Sequence, residues 1–222
     1  MKSMDLALEP RSLRDAMEMA SLAKIMGYRL VAIENSDPQR AREYARVFTE
    51  EGIEALTRVT IEADSWGKTV NILKRIALNF DLVAVKPKSA EAVRLAARDP
   101  RVGLVVLSPG MARYMDKSQA AMLREGGAAV ELRFLPLLHG GDPRAGLRGT
   151  MIIARRAAAY EAPLVVTSGA RTKWEMWHPR TVHAMLVAFG LPENIAKLAI
   201  TGYPAAIVNT KARHPSPGGE AV

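Results

Sequence analysis

The chain has 222 residues, enough for one large domain with a real core; 49% are apolar, and with aromatics at only 5% that core must be aliphatic. Cysteine is absent, which excludes disulfides, thiolate metal sites and cysteine nucleophiles together. The net charge is +8, no run of about 18 apolar residues could span a bilayer, and Asp5 and Glu9 stand where a secretory signal would be apolar, so a soluble cytoplasmic protein without membrane partners is expected.

In chain order, short aliphatic runs that read as strands cover residues 4–8, 29–34, 56–62, 81–86, 102–107, 128–134, 163–168 and 195–200. Amphipathic segments lie between them: Leu13, Met17, Ala20, Leu22 and Ile25 repeat at helical spacing, as do Ala92, Val93 and Ala96. Ser12 and Ser89 read as N-caps, Gly27, Gly52 and Gly190 as helix ends, and Pro38, Pro87 and Pro179 fall near helix starts. Eight strands, each followed by a helical segment, imply a parallel sheet, and eight such units in this length imply a single (β/α)8 TIM-like barrel, small for its class. A doubly wound open sheet is the alternative. The barrel is expected over residues 1–213, with 214–222, rich in Pro and Gly, as a flexible tail.

Chemistry at the barrel mouth is hard to find. The histidines, His139, His178, His183 and His214, form no HxH or HxxxH pair, so no histidine-built metal site is expected. Ser168 lies in no GxSxG, and neither GxxxxGK[ST] nor GxGxxG occurs. Instead, alternate residues of the strand runs place Asp5, Arg58, Thr60, Glu62, Lys86, Glu131 and Arg133 on one face, with Leu6, Val59, Ile61, Val85 and Leu132 on the other. Helices outside a barrel need the apolar face, so the polar set should point inward or to the mouth and pair off there. The remaining charge is uneven. Between residues 133 and 180 stand eight basic side chains (Arg133, Arg144, Arg148, Arg155, Arg156, Arg171, Lys173, Arg180) against three acidic ones (Asp142, Glu161, Glu175). Such a field beside tryptophans suits a polyanion. Scarce glutamine (Gln39 and Gln119) and abundant arginine also fit a thermophile.

Several segments carry a resemblance: VELRFLPLL with Glu131 and Pro136-Leu137-Leu138, then PLVVTSGA ending in Ser168-Gly169-Ala170, then Pro179-Arg180-Thr181-Val182 and a helix end at residues 186–190. In this order they resemble the protein-30 subunit family of ribonuclease P, called protein component 3 in archaea. Weaker matches are Met4-Asp5-Leu6, Gly27-Tyr28 and Ser108-Pro109-Gly110; Arg180-Thr181, Trp174 and Met176 depart from the family pattern. The family looks like a relative of the polymerase and histidinol phosphatase barrels that has lost its metal-binding histidines, and here the first strand offers Asp5 without HxH.

The resemblance implies an accessory subunit of an endoribonuclease that removes the 5′ leader from precursor tRNA, with the RNA subunit supplying the chemistry through Mg²⁺. No catalytic residue, metal or cofactor is then expected in the chain itself. Its partners would be the ribonuclease P RNA, precursor tRNA within the holoenzyme, protein component 2 and other protein subunits. RNA-binding candidates are Lys86, Lys88, Arg144, Arg148, Arg171, Lys173 and Arg180; Asp5, Arg58, Glu62, Glu131 and Arg133 would be a structural polar interior. Arg171 and Lys173 would reach phosphates, while Trp174 and Trp177 pack or stack. Two other readings remain open: a metal-dependent phosphoesterase of the parent superfamily, and a phosphate-binding metabolic barrel with Thr167-Ser168-Gly169 as cradle.

Overall fold

The computed structural model describes residues 2–135, 137 and 142–212. Pro136, Leu138, His139, Gly140-Gly141, His214 and the expected 214–222 tail lie outside the described residues. Seven parallel strands, paired strictly in chain order, form a nearly closed barrel with helices outside. They are β1 (Ser3–Leu8), β2 (Tyr28–Glu34), β3 (Glu54–Ala63), β4 (Leu82–Pro87), β5 (Leu104–Val106), β6 (Ala129–Arg133) and β7 (Leu164–Thr167). The helices are α1 (Leu13–Met26), α2 (Pro38–Glu50), α3 (Trp66–Ile76), α4 (Ala90–Arg98), α5 (Lys117–Gly126), α6 (Pro143–Ala159), α7 (Pro179–Ala188), α8 (Glu193–Leu198) and α9 (Gly202–Lys211).

Local chemistry sets many boundaries. Ser12 and Ser89 cap α1 and α4 by accepting from Asp15 N and Ala92 N, and Pro38 and Pro179 open α2 and α7. Pro87 instead ends β4, where its missing N–H interrupts no helix. α1 differs from its sequence reading in the face it buries. Ala16, Met19, Ala20 and Ala23 go inward, while Leu13, Met17 and Ile25 remain exposed. Small residues win the inner position because they let the helix lie close to the sheet.

The eighth strand is not formed. Residues 193–198 are α8, because a short apolar run fits strand and helix equally and this one follows a Pro192 helix start. The ring still closes at two points. Near the strand starts, Val166 N donates to Ala199 O (3.1 Å) and Met4 N to Ile200 O (3.0 Å). Near the strand ends, Leu8 bridges Ala170, and Glu9 N donates to Ala170 O (2.7 Å). Two residues after a helix thus stand in for a strand.

The core has an outer layer between strands and helices and a smaller inner one. The inner layer comprises Leu6, Leu30, Ala32, Leu56, Leu82, Ala84, Leu104, Val106, Ala129 and Val165, closed below by Ile207 and Val208 of α9. No helix among the described residues is long and apolar enough to cross a membrane.

Candidate nucleic-acid interface

Above the apolar layer the barrel interior is ionic. Arg58, wholly buried on β3, donates Nη2 to Glu131 Oε2 (2.5 Å) and to Thr60 Oγ1 (3.2 Å), and Nη1 to the Leu6 carbonyl. Its Nε stands 3.2 Å from Glu34 Oε2, an ionic contact without hydrogen-bond geometry. Arg133 on β6 spans the same carboxylates, with Nη2 on Glu34 Oε2 (2.5 Å) and Nε on Glu131 Oε1 (3.2 Å). Thr167 Oγ1 adds a bond to Glu131 Oε1 (2.8 Å). Burial alone would raise the Glu131 pKa, but the Arg58 and Arg133 charges overcome it and hold the carboxyl below its usual range. Two guanidiniums and two carboxylates cancel, so the plug offers neither a free base nor an acid.

The period-2 reading thus holds for Arg58, Thr60, Glu131 and Arg133. It missed Glu34, although Leu30, Ala32 and Glu34 alternate inward on β2. Glu62 stands at the mouth rather than inside, its side chain 52% exposed.

Asp5 overturns the reading of the first strand. Met4 and Leu6 join the inner layer, whereas Asp5 pairs in register with Val31, whose side chain belongs to the outer layer. β1 still alternates here, but with Met4 and Leu6 turned inward and Asp5 outward, the reverse of the polar-inward phase of β3 and β6. The Asp5 carboxylate, 2% exposed, accepts from Ala7 N (3.1 Å) and Ser168 N (3.2 Å). Among the described residues it has no cationic partner. Burial raises its pKa to about 6, against the lowering effect of the Ser168 and Ala7 hydrogen bonds. Ser168 is itself engaged, its N–H donating to Asp5 and its Oγ accepting from Ala170 N (3.1 Å). Thr167 Oγ1 is likewise bound within the protein, to Glu131.

At the rim every expected RNA-binding cation has a carboxylate beside it. Lys86 meets Glu62 (3.1 Å); Lys88 meets Glu62 (2.8 Å) and Asp64 (3.1 Å). Arg171 meets Glu9 (3.1 Å), and Lys173 meets Glu18 (3.2 Å). The loop after β7 turns at Gly169, whose φ of +66° suits glycine, and Glu175 Oε2 then accepts from Arg171 N (2.7 Å) and Thr172 N (3.2 Å). The tryptophans divide. Trp177 packs edge-on against Phe134, with ring centroids 5.6 Å apart, while Trp174 is 84% exposed.

The flank around α6 is different. Asp142 spends its carboxylate on the helix N-terminus, accepting from Arg144 N (2.9 Å) and Ala145 N (3.2 Å). Arg144 and Arg148, one turn apart, are exposed and in no ion pair among the described residues. Arg180, at the same end of neighbouring α7, is likewise exposed and unpaired among them. Arg156 and Arg155 are structural: Arg156 Nη1 donates to Ala112 O (3.0 Å), and Arg155 Nε to Phe189 O, tying α6 to the end of α7. Gly149 lets α6 press on the 3-10 turn Pro109–Tyr114, since a Cβ there would stand 2.4 Å from Pro109 O. That turn adds another exposed cation, Arg113, over the Tyr114 ring at 5.1 Å.

Among the described residues no three His, Asp or Glu side chains converge as a metal site would require. His178 Nδ1 caps α7 by accepting from Arg180 N (3.1 Å), and His183 lies 3.4 Å from the Glu193 carbonyl.

Known proteins resemble this chain over most of its length. Ribonuclease P protein component 3 of Methanosarcina barkeri is 26% identical over 211 residues, covering 90% of this chain and 84% of its own length. The protein of the same name from Aeropyrum pernix is 27% identical over 198 residues, covering 87% and 90%. A chain from the cryo-EM structure of archaeal ribonuclease P with mature tRNA superposes with a TM-score of 0.72 over 98% of this chain and all of that one; at 14% identity, the likeness speaks for the fold. The family model described as RNase P subunit p30 matches residues 2–215, nearly the full length, and the chain belongs to that family.

Proposed function

We propose that this ribonuclease P subunit holds the catalytic RNA by the α6–α7 flank rather than by the barrel mouth. The observation that carries the proposal is that Arg144, Arg148 and Arg180 are exposed and in no ion pair among the described residues, while Lys86, Lys88, Arg171 and Lys173 each are in one. An unpaired guanidinium can replace a condensed counterion on a phosphate, whereas a paired one must first leave its carboxylate. The chain then supports cleavage of precursor tRNA in the cytoplasm without supplying the chemistry, which rests on Mg²⁺ held by the RNA. Protein component 2 and the other subunits complete the assembly.

The test is reconstitution. The RNA subunit with the other protein components is assayed for 5′-leader removal with and without this chain. Stimulation by the chain, with no phosphoester hydrolysis by the chain alone under the same Mg²⁺, is the expected result. Hydrolysis by the isolated chain would return the phosphoesterase reading.

A further inference from the structure

The exposed face of α1 and the 3-10 turn Lys173–Glu175 place large apolar side chains in solvent where the fold gains nothing from them. Trp174 is 84% exposed, Met17 57% and Leu13 43%. Leu13 and Met17 lie one turn apart and so share a face of α1. Lys173 laces the turn onto that helix through Glu18, and its Nζ sits 5.0 Å from the Trp174 ring centroid.

The mounting is stiff. A capping box joins Thr172 and Glu175, Glu9 holds Arg171, and Met176 is buried directly after the turn. An indole so fixed loses little freedom when it is covered, which is the property of a binding anchor. The cations beside it are already paired: Arg171 with Glu9 (3.1 Å), Lys173 with Glu18 (3.2 Å), and Arg14 with Glu18 (3.2 Å). An apolar group whose neighbouring cations are already paired gives a polyanion little field to follow. It has the anatomy of a protein interface, with an apolar centre and a polar rim, and Trp is enriched among the residues that dominate such contacts.

We infer that Trp174, Leu13 and Met17 form a docking surface for a protein of the same assembly, one offering an apolar recess and no net charge, and that this surface is separate from the RNA flank. The inference rests on the reading of the chain as an assembly subunit.

The experiment uses the full chain, purified ribonuclease P RNA and each of the other purified protein subunits, added one at a time. Trp174→Ala should weaken binding to one protein subunit by about tenfold or more, while RNA affinity stays within about twofold. Trp174→Phe should restore most of the loss. Circular dichroism and melting temperature should not change, because the indole supports nothing beneath it. A loss of RNA affinity with protein binding intact would make Trp174 a base-stacking platform and overturn the inference. Unchanged binding to every subunit would overturn it equally. A wild-type chain that binds neither RNA nor any subunit would instead remove the underlying reading.

Discussion

The barrel mouth and the α6 flank carry the same kinds of cation in opposite electrostatic states. At the mouth Lys86, Lys88, Arg171 and Lys173 face Glu62, Asp64, Glu9 and Glu18, and below them Arg58 and Arg133 are locked to Glu34 and Glu131. On the flank Asp142 turns to its own helix, and Arg144 and Arg148 are in no ion pair among the described residues. Positive charge marks a polyanion site only where it is not already spent. In a TIM-like barrel the mouth is the customary place for function; here its cations are spent on ion pairs, and the proposed RNA contact lies outward, on a helix.

The largest effect should come from the most deeply spent cation. Arg58→Met leaves Glu131 buried with half of its compensation gone, and stability should fall by about 3–5 kcal/mol, read from urea unfolding. A loss below about 1 kcal/mol would mean that the interior pairs are not held as tightly as their geometry shows, and the contrast between the regions would collapse.

Asp5 sharpens the contrast from the other side, as a buried carboxylate without a cation. Its folded pKa of about 6 exceeds the ordinary 3.8, so between these values the folded state holds more proton and stability falls as pH rises. Above pH 6 the full penalty applies; below 3.8 it disappears. Asp5→Asn, which keeps an acceptor for Ala7 N and Ser168 N, should therefore stabilise the protein by up to about 3 kcal/mol at pH 7.5. The gain should shrink to nothing near pH 3.5. Equal stabilisation at both pH values would remove the titration of Asp5 as its cause.

The smallest effect, and the most direct comparison, is a pair of double mutants. Arg144→Ala with Arg148→Ala should flatten the slope of log affinity for the RNA subunit against log salt by about 1.5, since each phosphate contact contributes roughly 0.7–0.9. Arg171→Ala with Lys173→Ala should change the slope by less than about half as much, because those cations already have counterions in Glu9 and Glu18. Neither pair should move the melting temperature by much, as exposed charges contribute little to stability. If the second pair flattens the slope more than the first, the mouth is the RNA face.

What could be read from the sequence follows from the range of the forces involved. Alternation along β3 and β6 placed Arg58, Thr60, Glu131 and Arg133 inside because side-chain direction in a strand is a local property. At Asp5 the alternation itself held but its phase was read wrongly: Met4 and Leu6 face inward, and which face of a strand is buried is set by its packing rather than by one polar residue. Residues 195–200 were misread because Ile195, Ala196, Leu198, Ala199 and Ile200 suit either period; only contact with β1 and β7 decides that two of them bridge the ring. The helical spacing of Leu13, Met17 and Ile25 was legible, but not which side it faced. The excess of charge between residues 133 and 180 was legible too. Its partners were not, since Glu9 and Glu18 lie far away in the chain.

The closure of the ring also bears on how the protein is made. β1 leaves the ribosome first, yet the carbonyls that complete its free edge belong to Ala170 and Ile200, almost a whole chain later. At typical synthesis speeds of about 5–20 residues per second, that edge waits on the order of ten to forty seconds. A flat aliphatic edge would invite pairing with another nascent chain. This one carries an irregular register and, at Asp5, a carboxylate that is fully charged until burial raises its pKa. Both are devices that discourage edge-to-edge association. The side chain that weakens the finished barrel is therefore suited to guarding the unfinished one.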